Sequence, residues 1–317
     1  MDMAQVCSRT YSVQDYTLEG HVISTNSKQD IWGCFQECKR TTECQSINYE
    51  VNTYICGINN RTKRGRPNRF VRRVGSVYME NPFRVPLGVF PYLPGLSCKD
   101  IKDSHTDIIS GKYWVDPSNT RDPFLVFCDM ETDGGGWTLI AQTLVRNSTS
   151  FPAMIREKDF KMIQNYSSGL VRVDTTAILH LKQLINFTQI RYFCRKKATG
   201  RTFHIMTKSD PHGERAVQYL TENPSVQPSA CGSFVAFPDD NSYLAPNCSK
   251  WGNDGRDIEC NKWGYYQNKG FFRIYNDPII WEGKHYINLK PSVLACDDST
   301  DNPYPLSQGD KWQLFVR

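Results

Sequence analysis

No run in the chain approaches the roughly 18 consecutive apolar residues that a spanning helix needs, so no segment of it reads as a membrane span. Paired C-x-x-C knuckles are missing as well, and the closest cysteines, Cys34 and Cys38, sit four apart inside a helical pattern. That argues against a zinc site. The usual signatures of catalysis are absent: there is no Gly-x-Ser-x-Gly elbow, no His-Glu-x-x-His, no phosphate-binding loop and no dinucleotide fingerprint. His212-Gly213-Glu214 lies in a Pro/Gly stretch and reads as a turn. Asp239 and Asp240 are neighbours in sequence and do not face each other across a cleft, as a glycosidase pair must. An enzyme is not expected. Net charge is small too: 38 Lys and Arg against 33 Asp and Glu leave +5, too mild by itself to imply nucleic acid. The opening Met1-Asp2-Met3-Ala4-Gln5-Val6-Cys7 lacks the apolar core of a signal peptide. Either the export signal lies outside this sequence or the chain is not exported; a truncated or mature-form numbering is the favoured expectation.

What the chain does have is cysteine. Twelve of them in 317 residues, dispersed rather than clustered, read as disulfides made in an oxidising compartment. Five Asn-x-Ser/Thr acceptor patterns, at Asn60, Asn147, Asn165, Asn186 and Asn247, agree with that. Together they point to a secreted or cell-surface glycoprotein. Hydrophobic residues make up 39%, a soluble globular composition, and the length suits two domains.

In the first segment Ser27-Lys28-Gln29-Asp30 reads as a helix N-terminus, with Ser27 as cap and Asp30 in the first turn. Ile31, Cys34 or Phe35, and Cys38 then recur at helical spacing. Ser46 to Val51 alternates as a half-buried strand should, and Tyr54 to Ile58 reads as a second strand carrying Cys56. A helix with cysteines four apart, a third just beyond it and a fourth on the facing hairpin is a stapling pattern. With Gly20-His21-Val22-Ile23 and Gly75-Ser76-Val77-Tyr78-Met79, it resembles the PAN/apple domain. The resemblance implies a helix on an antiparallel sheet, tied by Cys34–Cys56 and Cys38–Cys44. Cys7 is left over. It bonds across to the second domain, bonds to another chain, or stays free, and the arithmetic favours the first, since the second segment holds seven cysteines.

From Arg61 to Arg73 the chain carries Arg61, Lys63, Arg64, Arg66, Arg69, Arg72 and Arg73 with no acidic residue between them. Three readings stand: a solvated loop, a contact for sulfated glycan through paired guanidinium groups, or a proprotein-convertase site at Arg61-Thr62-Lys63-Arg64. Pro82, Pro86, Pro91 and Pro94 then mark an extended, semi-rigid linker whose apolar residues suggest that it packs against a domain.

The second segment opens on Cys98, Ile101 and Gly111-Lys112-Tyr113-Trp114-Val115-Asp116-Pro117. It continues through Val126-Phe127-Cys128-Asp129-Met130 to Gly134-Gly135-Gly136-Trp137-Thr138. Three successive glycines serve where positive φ or a close backbone approach leaves no room for Cβ. The phrase as a whole resembles the opening of a fibrinogen C-terminal-like domain. The resulting organisation is α+β: a PAN/apple-like domain at 1–81, a Pro-rich linker at 82–95 and a larger, loop-rich fibrinogen-like domain at 96–317, both domains disulfide-stapled. Helical patterns cover Asp159–Gly169 and Thr176–Phe187, with Thr175 or Thr176 as cap of the latter and His180 on its surface. Strands are expected at Ile190–Arg195 and Thr202–Thr207. The resemblance implies the pairs Cys98–Cys128 and Cys248–Cys260 and leaves Cys194, Cys231 and Cys296 unassigned. It also implies a calcium loop at Asp239 and Asp240, although Ser242 stands where a second carboxylate would alternate. Asp297, Asp298 and Asp301 form another oxygen-rich cluster, read as a solvated loop. The ligand pocket implied lies beside the second disulfide, at Asn247, Cys248, Trp251, Trp263, Tyr265 and Tyr266, with a cis peptide before Cys248. For any single one of those aromatics, core packing is the better expectation.

The function expected is non-catalytic binding of glycans or acetylated surface groups, in adhesion or innate recognition. The alternative is a structural matrix or cell-contact protein whose second domain binds a protein partner.

Overall fold

The computed structural model describes residues 12–147, 158–222, 224–252, 260–265, 273–281, 283–290, 293–299 and 305–317. Cys7, Tyr266 and Asp301 lie outside them. The fold is α+β, in two compact units: residues up to Pro123 with Asp133–Gly136, and Phe124–Thr132 with Trp137–Arg317.

In the first unit β1 (Ser12–Leu18), β2 (Val22–Ser27), β3 (Ser46–Glu50), β4 (Ile55–Asn59) and β5 (Phe70–Glu80) form an antiparallel sheet in the order β1-β5-β3-β4-β2. Helix α1 (Ile31–Arg40) packs on β3 and β4. Its cap is Asp30, not Ser27. The extended Asp30 backbone puts its carboxylate 2.7 Å from Gly33 N, whereas Ser27 ends β2. Lys39 and Arg40 close the last turn, where cations suit the helix dipole. Cys34 bonds Cys56 and Cys38 bonds Cys44, around a core of Phe35, Ile47, Tyr49 and Ile58.

Beneath the sheet runs a buried polar chain. Asn48 accepts from Leu18 N and donates to Leu18 O, both at 2.9 Å, so one side chain fixes the end of β1. Its amide also donates to Asn59 Oδ1; Asn59 in turn donates to Ser46 Oγ, and Ser46 Oγ to Arg61 O. The stretch after β5 is not a free spacer. Leu87 and Leu93 are buried, Gln45 donates to Val85 O, and Gly88 N donates to Leu93 O. Gly88 has φ +78°, and a Cβ there would sit 2.6 Å from Ile101 Cδ1. Helix α2 (Cys98–Ser104) and strand β6 (Gly111–Val115) complete this unit.

In the second unit β7 (Phe124–Asp129), β8 (Trp137–Leu144), β10 (Ile190–Arg195), β11 (Thr202–Thr207), β12 (Phe234–Ala236) and β16 (Lys311–Val316) run antiparallel in the order β12-β11-β10-β16-β8-β7. Between β8 and β10 in the chain, β9 (Leu170–Arg172) pairs with β8. A second sheet joins β13 (Ile279–Trp281), β14 (His285–Lys290) and β15 (Val293–Ser299). The expected helix at Asp159–Gly169 is 3-10, Phe160–Ser168, begun by Asp159 and ended by left-handed Gly169. Helix α3 (Thr175–Ile185) is capped by Asp174, not by either threonine, and His180 on it is exposed. The turn expected at His212-Gly213-Glu214 is helical, in α4 (Pro211–Glu222). Asp210 accepts from His212 N and Gly213 N and Pro211 needs no N–H there, which together make a helix start. Gly213 is obligatory, because a Cβ would lie 2.0 Å from Lys208 O.

Cys194 bonds Cys296 across 102 residues, and Cys231 bonds Cys248. The expected Cys248–Cys260 pair is therefore corrected: Cys260 is exposed and free of any disulfide. Asn261 Oδ1 accepts from Ala230 N and Cys231 N and so fixes the turn that carries Cys231. Cys98 and Cys128 are each disulfide-bonded. Asp297 and Asp298, expected in a solvated loop, are buried in β15. The buried Lys196 Nζ lies 3.6 Å from Asp298 Oδ1 and 3.4 Å from Asp310 Oδ2.

Two outcomes follow. Asn48→Ala strands both Leu18 backbone groups and should cost about 2–3 kcal/mol in urea unfolding; a change within error would show that β1 is held by other means. Burial raises the Asp297 carboxyl to about 6 despite its two backbone donors. A raised carboxyl stabilises below its unfolded value and loses that contribution as pH climbs through the folded one. Unfolding free energy should therefore fall by on the order of 2–3 kcal/mol between pH 4 and pH 7, and Asp297→Asn should flatten that slope.

Candidate functional site

The aromatic platform expected from sequence is internal. Trp251 and Trp263 are both fully buried, crossing edge to face at 5.3 Å, and Trp251 stacks on Phe234 at 4.8 Å. Each indole N–H is satisfied, Trp251 by Leu244 O and Trp263 by Ser233 Oγ. These rings are core and offer no face to a ligand. Tyr265 is half-buried near them in sequence. Among the described residues no peptide bond is cis, so Cys248 follows a trans bond.

The Asp239/Asp240 loop is spent on the protein itself. Asp240 Oδ2 accepts from His204 N, and its Oδ1 accepts from Ser242 N and Ser242 Oγ. Asp239 Oδ1 lies 2.7 Å from His204 Nδ1. Burial pushes the Asp240 carboxyl up, against the pull of those hydrogen bonds. Two carboxylates, both engaged, do not supply the six to eight oxygens that calcium takes. Among the described residues no group of three His, Cys, Asp or Glu is placed to hold a metal. The loop does not fit the ion.

What the fold exposes nearby is a stacked ladder. The Arg201 guanidinium lies 4.0 Å over Tyr243, Tyr243 stacks on His285 at 4.6 Å, and Trp281 tilts against His285 at 6.3 Å. Tyr243 keeps 48% of its surface exposed, yet it cannot swing. Asp297 beneath it accepts from Tyr243 N at 2.6 Å and Leu244 N at 3.0 Å, and Asn247 Nδ2 donates to Tyr243 O at 2.8 Å. His285 lies 2.9 Å from Asp297 O through Nδ1. Donation to that carbonyl places the ring proton on Nδ1 and leaves Nε2 as an acceptor. Of the residues expected at the pocket, Asn247 touches this ladder. Arg201, Tyr243 and the Trp281–His285 pair, cross-strand partners in the β13–β14 hairpin, come from three separate stretches of the chain.

Part of the basic run is engaged by the protein itself. Arg61 is buried and donates to Asn60 O and Pro94 O, and Arg66 forms a fork with both oxygens of the buried Asp100. Arg73 pairs with Glu19 and Glu50, while Lys63 lies over Phe70 and Tyr78. Burial, with Arg66 and Arg61 beside it, lowers the His21 imidazole to about 4. Only Arg64, Arg69 and Arg72 of the seven are exposed without such a role. The acceptor asparagines divide as well. Asn165 and Asn186 are exposed, whereas Asn247 uses its amide on Tyr243 O.

A PAN domain model matches residues 7–83, and a model of the fibrillar collagen C-terminal domain matches residues 79–216. Angiopoietin-4 of Mus musculus is 43% identical over 72 residues, 23% of this chain but 13% of that protein. A fibrinogen-like protein 1-like protein of Gallus gallus is 25% identical over 207 residues, 61% of this chain and 69% of the relative. The fibrinogen-like globe domain of human ANGPTL6 overlays 74% of this chain and 98% of its own at 13% identity, with a TM-score of 0.35.

Two expectations are open to direct measurement. A convertase cutting at paired basic residues should leave the native protein intact after Arg64 and cleave it only once unfolded and reduced; fragments from native protein would mean Arg61 leaves its site. Asp240→Ala should lower the melting temperature equally with calcium and with chelator, and a calcium-dependent difference would restore the metal loop.

Proposed function

The chain is a PAN domain followed by a fibrinogen-like globe domain, and we propose that it is an extracellular recognition protein that binds glycans or acetylated surface groups through the Arg201–Tyr243–His285–Trp281 ladder. Both kinds of domain are non-catalytic. The related families are secreted, disulfide-rich proteins, which supports placing this chain outside the cell. No helix of the described residues is long and apolar enough to cross a membrane.

One observation carries the ligand class: an exposed tyrosine edge locked between a guanidinium and an imidazole. Both faces of Tyr243 are covered, by Arg201 and His285, so what the ladder offers a sugar is fixed polar atoms, His285 Nε2 and the Tyr243 hydroxyl, that orient its hydroxyls. Because the side chains are already fixed, ordering them costs a ligand little. Fibrinogen-like globe domains often bind calcium, but with Asp239 and Asp240 engaged on His204 and Ser242, recognition here runs without it.

A protein partner is the second reading. Phe90 and Tyr92 stack at 5.2 Å while staying 40% and 50% exposed, with Val89 at 41% beside them. Exposed apolar groups of this kind suit a protein contact. Exposed Arg64, Arg69 and Arg72 leave room for a sulfated glycan on the first unit.

The test is a glycan array run with calcium and with chelator. Binding to a related set of sugars, insensitive to chelator and weakened at least tenfold (about 1.4 kcal/mol) by Tyr243→Ala or His285→Ala, is the expected result. Binding only to sulfated glycans, lost at high salt, would move the site to Arg64, Arg69 and Arg72. No binding at all would leave the protein-contact reading.

A further inference from the structure

A second feature of the globe unit is unconnected with the ladder. A cavity of about 440 Å³ opens beside the 3-10 helix Phe160–Ser168, walled by Arg146, Met162, Asn165, Ser168, Leu170 and Val171 among others. Its size falls within the roughly 300–1,000 Å³ of small-molecule sites. One wall is an acceptor pattern, Asn165-Tyr166-Ser167, whose asparagine and serine are exposed while Tyr166 turns inward against Phe127. Asn165 Nδ2, the atom that would carry a sugar, lies 4.0 Å from Met162 Sδ, itself a wall of the cavity. Left-handed Gly169 ends the helix there and Arg146 donates to Ser167 O, so the rim is fixed.

We propose that Asn165 is N-glycosylated and that its first N-acetylglucosamine folds back into this cavity. The inference rests on the extracellular reading above. The chemistry balances as ordinary transfer from a polyprenyl-diphosphate-linked oligosaccharide: the C1–O bond to diphosphate breaks, Nδ2–C1 forms, Nδ2 gives up one proton, and the lipid diphosphate leaves. The sugar's acetyl methyl and ring C–H face meet Met162, Leu170 and Val171, while its acetamide carbonyl accepts from Arg146 and a ring hydroxyl donates to Ser168 Oγ, whose own proton goes to Leu170 O. Tethering makes the docking intramolecular, so weak contacts suffice. The glycan thereby covers apolar surface and braces the helix against β9.

The test begins with glycopeptide mass spectrometry of protein secreted from a eukaryotic host. Asn165 should be occupied. Trimming every glycan to its first sugar should leave the melting temperature unchanged. Asn165→Gln, and independently Ser167→Ala, should lower it by roughly 2–4 °C. Asn186→Gln should not. Arg146→Ala in the glycosylated protein should reproduce the Asn165→Gln shift. Sugar at Asn60 or Asn186 with none at Asn165 overturns this inference alone. Occupancy with no difference between glycosylated and Asn165→Gln protein also overturns it. No sugar on any acceptor overturns it together with the extracellular reading.

Discussion

Each unit is organised around a guanidinium taken out of water and held by one carboxylate. In the globe unit Arg191 Nη2 lies 2.6 Å from Asp129, with its plane over Phe315 and Trp137. The same carboxylate accepts from Glu131 N, Thr132 N and Thr132 Oγ1, so it also shapes the turn that leads into the three glycines. Burial alone would raise the Asp129 carboxyl; Thr132 and Arg191 bring it down to about 2. In the PAN unit Arg66 and Asp100 play the same part, and the Arg66 fork with Leu96 N outweighs burial to hold that carboxyl low. Removing one partner of such a pair leaves a buried charge, a loss of about 3–5 kcal/mol.

The loop-rich end of the globe unit depends on the same economy of buried charge. Lys196, Asp298 and Asp310 meet in the interior next to Cys194–Cys296, a bridge that closes 102 residues. Loops of that length gain on the order of 4–5 kcal/mol from closure in the chain-entropy account. Asp297 lies one residue on from Cys296, and its two backbone acceptances hold the Tyr243 loop. The ladder is therefore rigid because it is mounted on a disulfide and a buried carboxylate, although it lies at the surface.

Much of the architecture was legible from local pattern. Cysteines four apart on α1 and a fourth on the facing strand gave a stapled helix-on-sheet, and Cys34–Cys56 with Cys38–Cys44 are found. The three glycines at 134–136 all take positive φ, as their number required. Helix caps were less legible: Asp30 and Asp174 cap where Ser27 and the threonines were expected, because each aspartate sits immediately before its helix with extended backbone and its carboxylate reaches a free N–H, Gly33 N and Thr176 N. Ser-Asp-Pro before His212 signalled a helix start, but Pro and Gly were read as punctuation.

Charge and aromatic content, which the sequence does display, did not reveal which side of the fold they face. Composition, cysteine number and the two opening phrases determined fold class and domain kinds by themselves, since those depend on spacing along the chain. The fate of Arg61 and Arg66, the burial of Trp251 and Trp263, the choice of Cys231 for Cys248, and the meeting of Arg201, Tyr243 and His285 were decided by tertiary structure alone. Desolvation and pairing depend on neighbours brought together from far along the chain, as Cys194 and Cys296 are from 102 residues apart, and no local period encodes them.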